Sequence, residues 1–203
     1  MNTNQEQLFP VTLYRSRLED ASFFNVYLKS RLYSWRQRER SGIEISADTS
    51  MGSWHSKSTM HEMQEFHLFF QQIRQCIDEV LKQEALNGEF RSWCVCMAAH
   101  ICDRYGYDQP LEEISNGWCG IYFVQTPAES GGITFFNPSL AKEVDDLDYM
   151  VRDKTYVVEA GEIYIFPSWL RYEIQPNQSN SRGEAGERVS ISFAFNLQKS
   201  DSQ

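Results

Sequence analysis

The stretch Gly161-Glu-Ile-Tyr-Ile-Phe-Pro-Ser-Trp-Leu170 places a run of aromatic and β-branched residues between a glycine and a proline. A run of this kind, bounded by turn residues, is typical of a β-strand. Six further runs of the same texture lie at residues 93–100, 118–125, 133–136, 155–158, 172–175 and 189–196. Turn residues separate the runs at 108–110, 130–132, 137–139, 160–161, 176–177 and 181–186. The second half of the chain therefore predicts an antiparallel sandwich or barrel of short strands.

The first half of the chain carries helical periodicity instead. Apolar residues recur at helical spacing over residues 20–38, which predicts a first helix. Residues 41–58 are rich in serine and glycine and predict a loop. Thr59 and Glu62 form a capping-box pattern, so we expect a second helix that runs from there to the Asn-Gly pair at residues 87–88.

These patterns predict one domain over residues 1–203. An alternating run at residues 8–14 adds a strand before the first helix. The fold class is α+β, mainly β, with N-terminal helical support over residues ~1–89 and a β core over residues ~90–197.

Composition limits the function classes. The net charge of −9 argues against nucleic-acid binding, because phosphate recognition needs clustered Lys and Arg. No run approaches the ~18 consecutive apolar residues of a membrane span. The five cysteines are odd in number and include no C-x-x-C, which favours free thiols in a reducing compartment. We therefore expect a soluble, cytoplasmic protein that binds neither nucleic acid nor membranes.

Five segments, read in order, are similar to motifs of a known family. They are Gly106-Tyr-Asp-Gln-Pro110, Cys119-Gly-Ile-Tyr-Phe-Val124, Gly132-Ile-Thr-Phe-Phe-Asn-Pro138, Gly161-Glu-Ile-Tyr-Ile-Phe-Pro-Ser-Trp-Leu170 and Glu187-Arg-Val-Ser-Ile-Ser-Phe193. Together they resemble the 2-oxoglutarate- and Fe(II)-dependent oxygenases of bacteria and phages. The resemblance implies a double-stranded β-helix, which is a cupin-like jelly roll, with the two N-terminal helices as its support.

The resemblance also implies where a metal would be held. In this family two histidines and a third ligand, usually a carboxylate, bind iron on one face and leave positions for 2-oxoglutarate and O₂. The matching positions here are Leu111, Glu113 and Tyr172. Leucine has no donor atom, and a phenol with a pKa near 10 binds ferric iron far better than ferrous iron. The metal-binding histidines are therefore absent, and no metal ligand set is expected.

Other histidines offer a limited replacement. The chain has four, and His55, His61 and His67 are spaced six residues apart, which does not place two of them on one helix face. His100, at the end of a predicted strand near the expected site, is the rescue candidate for a metal ligand. The alternative is a hydrogen-bonded structural histidine.

The resemblance also assigns a cosubstrate clamp. Arg188 and Ser190 match the R-x-S pattern with which the family binds the distal carboxylate of 2-oxoglutarate. Residues i and i+2 share one face of a strand, as this role requires. The alternative is that Arg188 pairs with an acidic residue such as Glu187 or Glu159.

Three functional hypotheses follow. The leading one is an oxygenase-like protein that has lost iron binding, needs no cofactor, and serves as a non-catalytic subunit or scaffold. Its partner would be an active oxygenase relative or a second copy of this chain as a homodimer. The second is an active Fe(II)- and 2-oxoglutarate-dependent dioxygenase, a hydroxylase or desaturase of a small molecule or peptide, with iron held by a rearranged set such as His100 and Glu113. The third is a metal-free module that binds a small dicarboxylate at Arg188.

Overall fold

Nine strands and two helices form the part of the chain that this computed structural model describes, residues 10–40, 50–86, 88–108, 115–138 and 153–200. The helices are α1 (Ala21–Arg38) and α2 (His67–Gln83). The strands are β1 (Tyr14–Arg17), β2 (Ser50–His55), β3 (Phe90–Asp108), β4 (Trp118–Gln125), β5 (Ile133–Phe136), β6 (Asp153–Tyr156), β7 (Glu162–Pro167), β8 (Tyr172–Ile174) and β9 (Arg188–Lys199). No helix among the described residues combines the length and the hydropathy needed to cross a membrane.

The strands form two antiparallel layers. Pairing runs in the order β1-β7-β4-β9-β3-β8-β5-β6, and β2 pairs with the free side of β3. A large sheet therefore contains β1, β7, β4, β9, β3 and β2, and a small sheet contains β8, β5 and β6. The end of β3 joins them, because Asp108 pairs with Ile174. This is the two-sheet jelly roll that the sequence predicts.

The large sheet has an apolar core on each face. Because successive side chains of a strand point to opposite faces, β4 directs Ile121 and Phe123 toward the small sheet and Trp118 and Tyr122 toward the helices. We call these the inner face and the helix face. On the helix face, the ring of Tyr122 lies 5.1 Å from that of Phe69 in α2, between centroids.

The inner face meets the small sheet through aromatic rings. The centroids of Phe135 in β5 and Phe166 in β7 lie 5.0 Å apart with the rings edge to face, a favourable aromatic geometry. Tyr164 and Tyr156 pack beside them, 5.9 Å apart. The interior between the sheets is thus largely aromatic in this region.

The predicted loop over residues 41–58 is wrong for residues 50–55 and right for residues 56–58. Residues 50–55 form β2, which pairs antiparallel with β3 and places His55 opposite His100. Residues 41–49 lie outside the described part of the chain. Gly52 adopts a positive φ of 67° where the register of β2 shifts. This glycine, which contributes to the loop prediction, therefore allows a bulge within the strand.

The predicted start of the second helix is also wrong. Thr59 makes no side-chain cap, and its backbone instead forms a bridge to Met97 of β3. Two short 3₁₀ turns follow, and α2 begins only at His67. The helix ends at Gln83, before the Asn-Gly pair, because Ala85 turns into the left-handed region at φ 56°.

The packing around Gly120 generates a stability prediction. A Cβ at this position of β4 would lie 2.4 Å from Cζ of Phe193 and 2.7 Å from the carbonyl oxygen of Tyr164. We expect Gly120→Ala to lower the free energy of unfolding by about 1–3 kcal/mol, as overpacking does. Thermal unfolding followed by circular dichroism measures the change.

Glu173→Ala, at an exposed position of β8, is the control and should change the free energy of unfolding by no more than about 0.5 kcal/mol. An unchanged melting temperature for Gly120→Ala would mean that β4 and its neighbours are spaced more loosely than described.

Candidate functional site

Strand β9 supplies the polar part of the inner face. Val189, Ile191 and Phe193 belong to the core on the helix face. Alternation therefore turns Arg188, Ser190 and Ser192 inward, toward the small sheet. The sequence thus correctly predicts a shared face for Arg188 and Ser190.

Arg188 ties two turns together. Its Nη1 donates hydrogen bonds to the carbonyl oxygens of Ser130, before β5, and Gln175, after β8, the latter at 2.6 Å. The acidic residues considered as its partners each bind another arginine. Glu187 Oε1 accepts from Arg36 at 3.0 Å, and Glu159 accepts from Arg17.

The arrangement around Arg188 restricts access to it. Arg188 is 0% exposed and Ser190 is 1% exposed. A dicarboxylate could reach this guanidinium only if the turns that contain Ser130 and Gln175 moved apart. The clamp assigned to Arg188 and Ser190 stays a prediction.

Tyr172, at the expected position of the distal metal ligand, begins β8 in the small sheet. Its ring lies 4.8 Å from that of Phe166 and 6.3 Å from that of Phe135, between centroids. The phenol is half-buried among the aromatic residues of the inner core. The other two expected ligand positions, Leu111 and Glu113, lie outside the described residues.

The described residues do not by themselves fit an iron centre. Within the ranges that the structure describes, no group of three or more His, Cys, Asp or Glu side chains is placed to hold a metal ion. Tyr172, at the expected position of the distal ligand, offers a phenol whose ring packs against those of Phe166 and Phe135.

His100 lies on the inner face of β3, in a line of hydrogen-bonded side chains. Its Nδ1 is 2.7 Å from Nδ1 of His55, and its Nε2 is 2.8 Å from Oγ of Ser192. The two imidazole rings are nearly perpendicular, at 84°. Both nitrogens of His100 are thus engaged, so a metal ion would have to displace His55 or Ser192.

Sequence reasoning missed the contacts of His100 with His55 and Ser192. Residues 41–58 are predicted as a loop, so the sequence does not predict the pairing of β2 with β3. This pairing places His55 next to His100. Ser192 could have been found, because the same alternation that relates Arg188 to Ser190 continues to residue 192.

Two carboxyl groups, those of Asp103 and Glu187, lie beside Arg36 of α1. Burial, and then the charge of neighbouring Glu187, raises the pKa of Asp103, although Arg36 opposes the shift. Arg36 Nη1 is 3.0 Å from Glu187 Oε1 and 3.9 Å from Asp103 Oδ1. One arginine therefore serves two acidic side chains, and Asp103 is the less closely paired.

Several solved structures have a similar fold, and two of them are prolyl hydroxylases. A prolyl hydroxylase from Trichoplax adhaerens, in complex with a peptide fragment of hypoxia inducible factor, covers 90% of this chain and 82% of its own, with a TM-score of 0.59 and 10% identity. A prolyl-4-hydroxylase from Pseudomonas putida covers 90% of this chain and 91% of its own, with a TM-score of 0.56 and 12% identity. HygX from Streptomyces hygroscopicus, with nickel and 2-oxoglutarate bound, covers 91% of this chain and 82% of its own, with a TM-score of 0.51 and 11% identity. Identities this low show the fold alone.

The family resemblance has separate support. Residues 112–194 match the model of a family described as "Putative 2OG-Fe(II) oxygenase". No curated protein sequence matches the chain. The resemblance predicted from the five motifs is thereby confirmed, and so is the double-stranded β-helix. The protein is oxygenase-like in fold and in family motifs.

The raised pKa of Asp103 predicts how stability depends on pH. A carboxyl whose pKa rises on folding contributes stability below its unfolded value, and this contribution is lost as the pH climbs through the folded value. The Asp103 side chain is 56% exposed, so solvent screens its charge and the effect should be small. We expect Asp103→Asn to melt slightly above the wild type at pH 7, and this difference to shrink as the pH falls toward 3.8, the ordinary pKa of the carboxyl. Melting temperatures measured across this pH range test the expectation.

Asp78→Asn removes the same charge at an exposed position of α2 and serves as the control. If Asp103→Asn melted below the wild type at pH 7, the attraction between Asp103 and Arg36 would outweigh burial and repulsion by Glu187.

Proposed function

We propose that this oxygenase-like protein has lost iron binding and acts as a non-catalytic subunit or scaffold with respect to oxygenase chemistry. The observation that supports this proposal most directly is the environment of Tyr172. At the distal ligand position, a phenol packs edge to face against Phe166 within the aromatic core. The remaining ligand positions provide at most one carboxylate, Glu113, because Leu111 has no donor atom.

The chemistry of a phenol strengthens the argument. Tyrosine coordinates a metal well as phenolate, and its ordinary pKa lies near 10. Ferrous iron prefers neutral imidazole and carboxylate ligands. A site with one phenol and one carboxylate would hold Fe(II) weakly.

The alternative is an active Fe(II)- and 2-oxoglutarate-dependent hydroxylase or desaturase with a rearranged metal site. It would use His100 together with Glu113. His100 would then have to release either His55 or Ser192, which it contacts at 2.7 and 2.8 Å. This cost makes the alternative the weaker proposal.

The partner in this proposal is an active oxygenase relative or a second copy of the chain. Two large apolar side chains on α1, Phe23 and Val26, are strongly exposed, at 71% and 74%. Their spacing of three residues places them on the same side of the helix. Exposed apolar residues grouped on one side of a helix suit a protein contact better than isolated ones.

Metal uptake tests the proposal. Given Fe(II) and 2-oxoglutarate without oxygen, the wild-type protein should retain no stoichiometric iron and show no visible charge-transfer band. The triple variant Leu111→His, Glu113→Asp, Tyr172→His restores two imidazoles and a carboxylate, so we expect it to gain both. Metal analysis after gel filtration, with absorption spectra, measures the difference.

The single variant Tyr172→Phe controls for the loss of the phenol and should resemble the wild type. About one tightly bound iron per wild-type chain would overturn the proposal, and loss of that iron in His100→Ala would favour the rearranged site. A triple variant that folds, by circular dichroism, but takes up no iron would show that the ligand positions are assigned wrongly.

The clamp at Arg188 has its own test. Because Arg188 and Ser190 expose almost no surface, we expect 2-oxoglutarate without metal to leave the melting temperature of the wild type unchanged. A ligand that bound only the folded state would raise it by mass action. Arg188→Ala should lower stability with or without ligand, since two buried carbonyls lose a donor at about 1–3 kcal/mol each.

Arg182→Ala, at an exposed site, removes the same charge and is the matched control. A ligand-induced rise that Arg182→Ala keeps and Ser190→Ala loses would establish the metal-free dicarboxylate module instead.

A further inference from the structure

His55, His100 and Ser192 form a continuous hydrogen-bonded line across three neighbouring strands of the large sheet, β2, β3 and β9. We infer that this line is a metal-independent acyl-transfer centre, in which Ser192 is the nucleophile, His100 the general base and His55 the positioning residue. The inference goes beyond the oxygenase-like function, since it uses none of the three positions Leu111, Glu113 and Tyr172 at which the family motifs place the metal ligands.

The distances match those of an activated nucleophile. A serine hydroxyl becomes nucleophilic when a base lies within about 2.6–3.2 Å of it and a third group orients that base. Here Oγ of Ser192 is 2.8 Å from Nε2 of His100, and Nδ1 of His100 is 2.7 Å from Nδ1 of His55. Both contacts of the base fall inside the required range.

The chemistry fixes the protonation of the pair. For Nε2 of His100 to accept the hydroxyl proton of Ser192, His100 must carry its other proton on Nδ1. It then donates from Nδ1 to Nδ1 of His55, which accepts as a neutral ring. His55 thereby holds the ring of His100 in one tautomer and stabilises the imidazolium that forms, as the third group of a triad does.

Regular strands hold all three residues. His55 lies directly opposite His100 in the register of β2 and β3. Ser192 comes from β9, which pairs with β3 from Phe90 to Cys102. A site built on paired strands keeps its geometry better than one built on loops.

Both reacting residues are buried but keep a small exposed fraction. His100 is 8% exposed and Ser192 6%, whereas Arg188 and Ala194 on the same face of β9 are fully buried. The residue opposite Ser192 on β3 is Ala98, whose side chain is a single methyl group. Because the side chain opposite Ser192 is this small, the substrate class in the inference is a short acyl group carried as an ester or thioester.

The reaction balances with residues on this face and water. Oγ of Ser192 attacks the acyl carbonyl, its proton passes to Nε2 of His100, and His100 returns the proton to the departing oxygen or sulfur. Water then attacks the acyl-serine and gives its proton through His100 to Oγ, which releases a carboxylic acid. No oxidant, reductant or metal ion takes part.

A fluorophosphonate probe tests the inference on the full-length protein in the presence of EDTA. We expect one covalent adduct per chain, located on Ser192 by peptide mass spectrometry, and none in Ser192→Ala. His100→Gln should slow the labelling by about 100-fold, the range expected for loss of a general base. His55→Gln should slow it less and shift the pH at which labelling is half-maximal, which a purely structural role of His55 would not do.

Ser92→Ala is the matched control, because Ser92 is a serine of β3 that is 8% exposed and should not be labelled. Absence of an adduct on the wild-type protein overturns the inference. This result needs no variant, so the test remains valid even if His100→Gln does not fold. An adduct on another residue, or one that Ser192→Ala retains, overturns it equally. Either result leaves the iron-uptake test of the proposed function untouched.

Discussion

The pairing of β9 with strands on both of its sides governs the rest of the structure. Arg188 through Lys199 pair with β3, and Val189 through Phe195 pair with β4. Hydrogen bonds on both edges fix the register, and a slip by one residue would exchange the two faces of the strand. The alternation of β9 therefore decides at once which side chains pack against the helices and which face the small sheet. Moving Ile191 and Phe193 to the inner face would bury Arg188 and Ser192 against the helices.

The inner face carries polar groups at a cost that their contacts offset. A buried guanidinium loses several kcal/mol of hydration, so it persists only with good hydrogen-bond partners. Arg188 finds carbonyl oxygens at Ser130 and Gln175, which links β9 to the turns beside β5 and β8. His100 is engaged at both ring nitrogens. The polar groups of the inner face therefore help to join the two sheets, whether or not any of them meets a ligand.

How much the sequence could predict depends on how local each feature is. The bounds of β4 and β5 follow from runs of apolar residues between turn residues, and the structure confirms both. The shared face of Arg188 and Ser190 follows from alternation alone. Strand β2 could not be predicted in this way, because Ser50 to His55 become a strand only through pairing with β3, which is distant in sequence. The contact between His55 and His100 depends on that pairing, so local sequence patterns cannot predict it. Tyr172 was identified as the expected ligand position from the family motif, but its packing against Phe166 and Phe135 needed the fold.

Under the proposed function, Leu111 and Tyr172 stand where metal ligands would be, and this also bears on stability without metal. Imidazoles grouped in an apolar interior must find hydrogen-bond partners or a metal ion, since unsatisfied buried polar groups cost about 1–3 kcal/mol each. Tyr172 instead adds ring contacts to the aromatic core, and these contacts need no ion. A protein that folds without metal gains stability from such a change, whereas a metalloenzyme loses its chemistry. This exchange is consistent with the proposed role, in which the protein acts through its surfaces and not through oxygen chemistry. It also implies that restoring the histidines would make folding depend on metal, because the binding free energy of the ion would then have to offset the polar groups introduced into the core.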